Sequence, residues 1–350
     1  MLQSQKDLRL NHIGLCGILR WMMAKGKEKK KQHFVPSSYL KAWTDPETPT
    51  GQTPYIWLFS KEGGEGRRKS PENTFTETDM YTIPMPDGSR NLYLEDGLSQ
   101  LEKGIDKLRG EFIELRRPIP LARRVKLMAF TSALGARTPR FRAHHRAQWE
   151  KILRGGEKIM RRMAEKTPEE CRARALPVLP GHGPTLTLEQ VREIAERPIH
   201  HLMPEIMKTE VPVFMSMQHT VLCAPEGSEF ITSDAPLTRF DPEARKRPLL
   251  WQGVGLGYPT VEVVLPLGPQ KALLLHHNPA AGRGVKPLVY RDVSAEVVDE
   301  LNRRTRAYAD EHVVVARNFF KPDWLRMGLM VESKIGAPEL TDLCFRKDGG

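Results

Sequence analysis

The sequence predicts an α+β protein in which a helical middle segment packs on a mostly antiparallel sheet. Three observations predict this. Apolar residues between Leu94 and Met163 recur at helical spacing. Short β-branched and aromatic runs on both sides of that segment are bounded by Gly/Pro turns. The strands also come in runs, without the regular strand–helix alternation of a doubly wound parallel sheet.

The elements follow in chain order. Residues 24–32 are a lysine-rich leader. His33-Phe34-Val35-Pro36 reads as extended, and Pro36 makes a long helix through Tyr39 and Trp43 unfavourable. Tyr55 to Phe59 reads as a buried strand, with Glu62 to Gly66 as its turn. Leu94, Leu98, Leu101, Ile105, Leu108 and Phe112 predict one helix, ended by Pro118 and Pro120. A second helix starts near Leu121, and Pro139 should break it. A third runs from about Arg140 to Lys166, with Phe141, Trp149, Ile152, Leu153, Ile159 and Met163 as its apolar side. Residues 176–185 are a Pro/Gly linker. Thr187 and Gln190 form the signature of a capping box before a short helix, Leu188 to Arg197. From Val211 onward the pattern reads as strands: Phe214 to Ala224, then Phe230 to Thr232 across a Pro225–Ser228 turn as a first hairpin, then a second hairpin of Val261–Leu265 with Ala272–Leu275. Val293 to Tyr308 is a helix and His312 to Val315 a final strand.

The chain has 350 residues, with 39% hydrophobic and 28% charged content, which excludes wholesale disorder. Its four cysteines form no CxxC pair, so neither a disulfide framework nor a zinc ribbon is expected. A reducing cytoplasm is the simplest compartment. Ile13 to Leu19 is too short to span a bilayer, and no membrane partner is expected. Residues 1–28 read as a disordered or over-long leader, with Met22 or Met23 as the working initiator. Residues 29–318 read as a single domain, and 319–350 as a tail.

The net charge of +11 is concentrated. Leu121 to Ala175 holds 15 Lys or Arg against 5 Asp or Glu, a local net of +10. Such a surface attracts nucleic acid or another polyanion. A solvated helix face has the same composition.

GxSxG, HExxH, P-loop and GxGxxG patterns are absent, as is the HxE…PCxxC of zinc deaminases. Gly253-Val254-Gly255-Leu256-Gly257 has the wrong spacing for a dinucleotide turn. The doublets His144-His145, His200-His201 and His276-His277 diverge too much to share a metal. Asp234 ends a strand, where a carboxylate either acts chemically or caps the turn. Glu95 and Glu102 share a helix face. Arg137, Arg140 and Arg142 surround Pro139 at a helix start, where free N–H groups and the helix dipole favour an anion. The same arginines could instead pair with Glu95, Glu102 and Asp234.

These pieces match a known pattern. His33-Phe34-Val35-Pro36 with Tyr39-Leu40, Lys69 to Asn73 with Tyr81, Glu95 and Glu102, Arg137-Thr138-Pro139 with Arg142, Phe230 to Asp234 with Pro236, and Leu265-Pro266-Leu267 occur in this order. The chain thereby resembles the bacterial family called domain of unknown function 4238. Phe34 stands where Tyr is usual, and Leu134 where Gln often precedes the Arg-Thr-Pro. The resemblance implies a single domain and a set of polar residues, and it implies no reaction.

The expectation is that these polar residues converge on one pocket. His33, Glu102 and Asp234 would be the catalytic residues, and Asn73, Arg137, Arg140 and Arg142 would bind an anionic group. The expected class is a hydrolase acting on a phosphodiester or nucleic acid. A divalent metal held by His33 with Glu102 or Asp234 is one form of that site. The alternative is a protein without catalysis that binds nucleic acid or an acidic partner through the Arg-rich helix.

Overall fold

The computed structural model describes residues 30–325, apart from 86, 166–168, 171–185, 249–252 and 279–283, and apart from the side chain of Met163. The predicted leader, its initiator methionine, the 176–185 linker and the tail beyond residue 325 lie outside the described residues.

The fold is α+β. β1 (Lys31–His33) pairs antiparallel with β4 (Thr76–Thr78) as a small ribbon. A short helical turn, α1 (Ser37–Leu40), follows β1 directly after Pro36. Its Tyr39, and Trp43 of the 3-10 turn Lys41–Trp43 that follows, are anchors. The buried Tyr39 hydroxyl donates to the Pro266 carbonyl at 2.7 Å, and Trp43 Nε1 donates to the Phe230 carbonyl at 2.9 Å.

One sheet has the order β3 (Gly63–Lys69), β2 (Ile56–Ser60), β13 (His312–Val315), β8 (Thr232–Ser233), all antiparallel. The second has the order β12 (Leu288–Asp292), β7 (Gln218–Cys223), β11 (Lys271–His276), β10 (Glu262–Gly268), β9 (Thr238–Phe240). Only its β12–β7 pair is parallel. A two-residue pairing of β5 (Ile83–Pro84) with β6 (Arg90–Asn91) completes the strands described here.

Period-2 alternation divides the buried apolar residues of β7, β10 and β11 between two faces of the second sheet. Val221, Val263, Leu265, Leu273 and Leu275 face the main core. There they meet Leu127, Phe130 and Leu134 of α4 (Leu121–Ala136) and Met203 and Phe214 of α7 (Pro198–Ser216). Their neighbours Leu222, Val264, Ala272 and Leu274 face a second cluster with Val297, Val298 and Leu301 of α8 (Ala295–Tyr308). The sheet is therefore covered by helices on both sides. At roughly 1.5–3 kcal/mol for each large side chain removed from water, these layers dominate stability. Leu134, the departure from the family pattern, is a fully buried core residue.

Three expectations need correction. The predicted helix from Leu94 to Phe112 is broken: α2 (Tyr93–Glu102) stops at Lys103, and α3 (Ile105–Leu108) starts after Gly104 at φ 80°, a left-handed conformation that glycine adopts freely. Residues 211–216 are helical, because α7 runs on to Ser216 despite Pro204 and Pro212. Burial of Val211, Phe214 and Met215 outweighs the strand propensity of that run. The segment after β7 also does not return to pair with it. β8 joins the other sheet, beside β13.

The Pro139 break and the capping box are present. α5 spans Pro139–Ala164, and α6 (Leu188–Glu196) carries reciprocal Thr187 and Gln190 caps. α5 does not bury the whole predicted apolar side: Ile152 and Ile159 are more than half exposed. At the other end Phe320 and Trp324 pack against Trp57, Phe59 and Val313.

Candidate functional site

His33 sits at the end of β1, in register with Thr76 of β4. The ribbon is locked by Gln32, which is fully buried. Its Oε1 accepts from the Tyr81 N–H at 2.6 Å, and its Nε2 donates to Thr82 Oγ1 at 3.0 Å. The Tyr81 hydroxyl then donates to the His33 carbonyl at 3.2 Å. These bonds fix His33 and Tyr81 against each other.

The His33 ring Nε2 lies 3.1 Å from the Glu72 carbonyl. A carbonyl only accepts, so a neutral ring carries its proton on Nε2 and leaves the Nδ1 lone pair available. Burial lowers the His33 pKa. Glu102 opposes this shift, while Arg137 and Lys31 add to it. The ring is therefore neutral near pH 7, as a general base requires.

Arg137 is the C-cap residue of α4. The helix stops there because Pro139 restricts the residue before it, and Thr138 Oγ1 then accepts from the Phe141 N–H at 3.2 Å to start α5. This junction turns Arg137 inward, leaving it 1% exposed. Its Nη1 donates to Glu102 Oε1 at 2.7 Å. Its Nε and Nη2 are buried without any hydrogen-bond partner. Buried donors are rarely left unpaired, so two on one cation mark a place where a ligand or water belongs.

Tyr81 joins the parts. Its hydroxyl is held protonated by burial, and the charges of Arg137, Glu102, Glu95 and Glu77 all act on it. Glu77, on β4, forms a two-pronged pair with Arg142 at 2.6 and 2.8 Å. His200, in the first turn of α7, approaches the Tyr81 backbone, and burial lowers its pKa. Neither of its buried ring nitrogens completes a hydrogen bond.

The structure therefore gathers His33, Glu102 and Arg137, with Arg142 alongside through Glu77. It does not gather the rest. Asp234 accepts hydrogen bonds from the N–H groups of Asp310, Glu311 and His312, each at 2.8 Å. It holds the turn that leads into β13, and it is not among the charges that act on His33. Of the two readings of a strand-end carboxylate, turn capping is the one realised. Arg140 is largely exposed and points to the same turn, with Nη1 3.1 Å from the Tyr308 carbonyl. Asn73 neighbours Glu72, yet its exposed side chain accepts from Lys31 Nζ at 2.6 Å and donates to Ser70.

Among the described residues, no three His, Cys, Asp or Glu side chains converge to hold a metal ion. The Asp234 carboxylate is taken up by the Asp310, Glu311 and His312 N–H groups. Sequence reasoning missed Gln32 and Glu77, and it weighed His200 only as half of a histidine doublet. Gln32 had a signal, since it directly precedes His33 of the matching motif; Glu77 had none beyond residue type.

Among the described residues no helix is long and apolar enough to cross a membrane. The family model described as Protein of unknown function (DUF4238) matches residues 31–318. No curated protein and no solved structure matches the chain.

Proposed function

Taking as premise that the chain belongs to the DUF4238 family, we propose that the His33–Glu102–Arg137 site hydrolyses a phosphodiester, with nucleic acid as the first substrate class. One observation carries this reading: Arg137 is a buried cation with a single carboxylate partner and two unpartnered nitrogens. A guanidinium offers donors spaced for two oxygens of one phosphate. His33 Nδ1 takes the proton of a water whose oxygen bonds to phosphorus, the P–O bond to the leaving alkoxide breaks, and that alkoxide leaves as an alcohol after taking a proton from solvent. Arg137 stabilises the charge that develops on the phosphoryl oxygens. Glu102 holds Arg137 in place and favours the protonated form of His33 after the transfer.

The test uses the purified full chain, a chromogenic phosphodiester and single-stranded RNA and DNA. His33→Gln and Arg137→Lys should each lower turnover at least a hundredfold, with circular dichroism unchanged. Turnover in the wild type that survives both substitutions would end the proposal, as would no turnover of any of these substrates.

A second reading rests on α5, where Arg154, Lys158, Arg161 and Arg162 are exposed. In this reading the protein binds nucleic acid or an acidic partner without turnover. Affinity for RNA would then fall steeply with salt while the phosphodiester stays intact.

A further inference from the structure

α6 covers only one side of α5. Gly156 lets the two helices close up, since a Cβ there would stand 2.6 Å from Leu188 Cδ2. On the same side Arg192 Nη2 donates to Glu157 Oε1 at 3.0 Å, and Arg146 Nη2 donates to the Glu196 carbonyl at 3.1 Å. Helical spacing puts Ile152, Gly155 and Ile159 together on another side. Ile152 is 53% exposed and Ile159 59%. A Cβ on Gly155 would meet nothing within 4 Å. Two isoleucines about 10 Å apart along the axis thus flank an open gap. That is the form of a hole that receives one side chain of a facing helix.

Lys151, Lys158 and Arg162 form the ridge beside that seam, and all three are exposed. The ion pairs of this stretch among the described residues, Glu150 with Arg154 at 3.8 Å and Glu157 with Arg192 at 3.0 Å, use none of them. The face therefore joins an apolar stripe to a row of cations that the chain itself leaves unneutralised. Phosphates would neutralise the row and leave both isoleucines in water. A helix that lies in a membrane surface carries a broad face of bulky apolar residues, and Gln148 and Gly155 interrupt this one. A second copy of α5 would bring cations to cations, since the same ridge borders its own seam. We propose that this face of α5 docks an amphipathic helix of a partner protein. One apolar side chain of that helix fills the gap at Gly155, and its Asp or Glu residues pair with Lys151, Lys158 and Arg162. The proposal rests on the reading of α5 as a binding face, narrows its partner to an acidic protein helix, and is independent of the His33 chemistry.

Fluorescence anisotropy with the full chain and labelled synthetic peptides tests this. One peptide of about 21 residues repeats Leu at heptad spacing with Glu on the flanks. A second holds the same residues in an order without an apolar stripe. Single-stranded RNA and phosphatidylserine vesicles are the further probes. The striped peptide should bind at least about tenfold more tightly than the scrambled one. Gly155→Leu, which closes the gap, and Lys158→Glu, which reverses one charge of the ridge, should each weaken it about tenfold. Both positions are exposed, and Leu suits a helix interior better than Gly, so circular dichroism should not change. Equal binding of the two peptides, or striped-peptide affinity unchanged in Gly155→Leu, would overturn the proposal; RNA binding in that case leaves α5 as a polyanion surface only. Vesicles bound more tightly than the striped peptide would overturn it in favour of a membrane surface. No binding of any probe would end both this proposal and the α5 reading it rests on.

Discussion

Replacing Asp234 by alanine removes one carboxylate that accepts three backbone hydrogen bonds, from Asp310, Glu311 and His312, each at 2.8 Å. The residue is 4% exposed, so water cannot fully take its place. A hydrogen bond to a charged group contributes about 1.5–3 kcal/mol, and three from one side chain are not additive. A loss of about 3–5 kcal/mol follows. The turn it holds leads into β13, which pairs with both β2 and β8, so the damage reaches the middle of a sheet. Unfolding entropy of about 2.1 cal/mol/K per residue over the chain turns this into a drop of roughly 4–7 °C in Tm. Asp234→Asn keeps one acceptor oxygen and should fall between. Thermal and urea unfolding read the change directly. A Tm for Asp234→Ala within about 1 °C of wild type, together with lost phosphodiester turnover, would refute the capping argument and return Asp234 to the chemistry.

Three more outcomes follow from burial and backbone geometry. The His219 pKa is lowered to about 4, first by burial, with Arg124 adding to the shift and the Phe214 carbonyl opposing it. Below pH 6.5 the unfolded chain takes up this proton before the folded one does. Stability present above pH 6.5 is therefore lost as pH falls toward 4, by about 3 kcal/mol for this ring. Urea unfolding should show His219→Gln losing less over that window than wild type, and equal losses would disprove the burial argument. Gly104→Ala should cost about 1 kcal/mol, because φ there is 80° even though the space is open. Gly110→Ala, also in open space and without a positive φ, should be neutral or stabilising in the same urea melts. A stabilised Gly104→Ala variant would mean that the α2–α3 break is not needed.

Local features were legible in the sequence where the chemistry is local. The Pro139 break, the Thr187–Gln190 capping box and the β10–β11 hairpin each depend on a few adjacent residues. The α2–α3 break was missed although Gly104 stands in the sequence, because the apolar spacing from Leu94 to Phe112 runs straight across it. α7 was misjudged because two internal prolines and a β-branched stretch argue against a helix that tertiary burial then imposes.

The motif residues were also legible, but not their grouping. His33, Glu102, Arg137, Asp234 and Arg140 all looked alike as polar residues in one pattern. Which of them meet depends on which strand lies beside which. β1 pairs with β4 and sets His33 opposite Thr76, within reach of the Glu102 charge, whereas β8 pairs with β13 and commits Asp234 to its turn. The sequence by itself determined the α+β class, the family and the helix break that turns Arg137 inward, since propensity, motif order and proline geometry act over short distances. Only the tertiary structure decided that Arg137 keeps unpartnered donors beside His33, and that Arg124 is buried against the Lys286 carbonyl. Long-range pairing and burial set both, and no spacing along the chain encodes them.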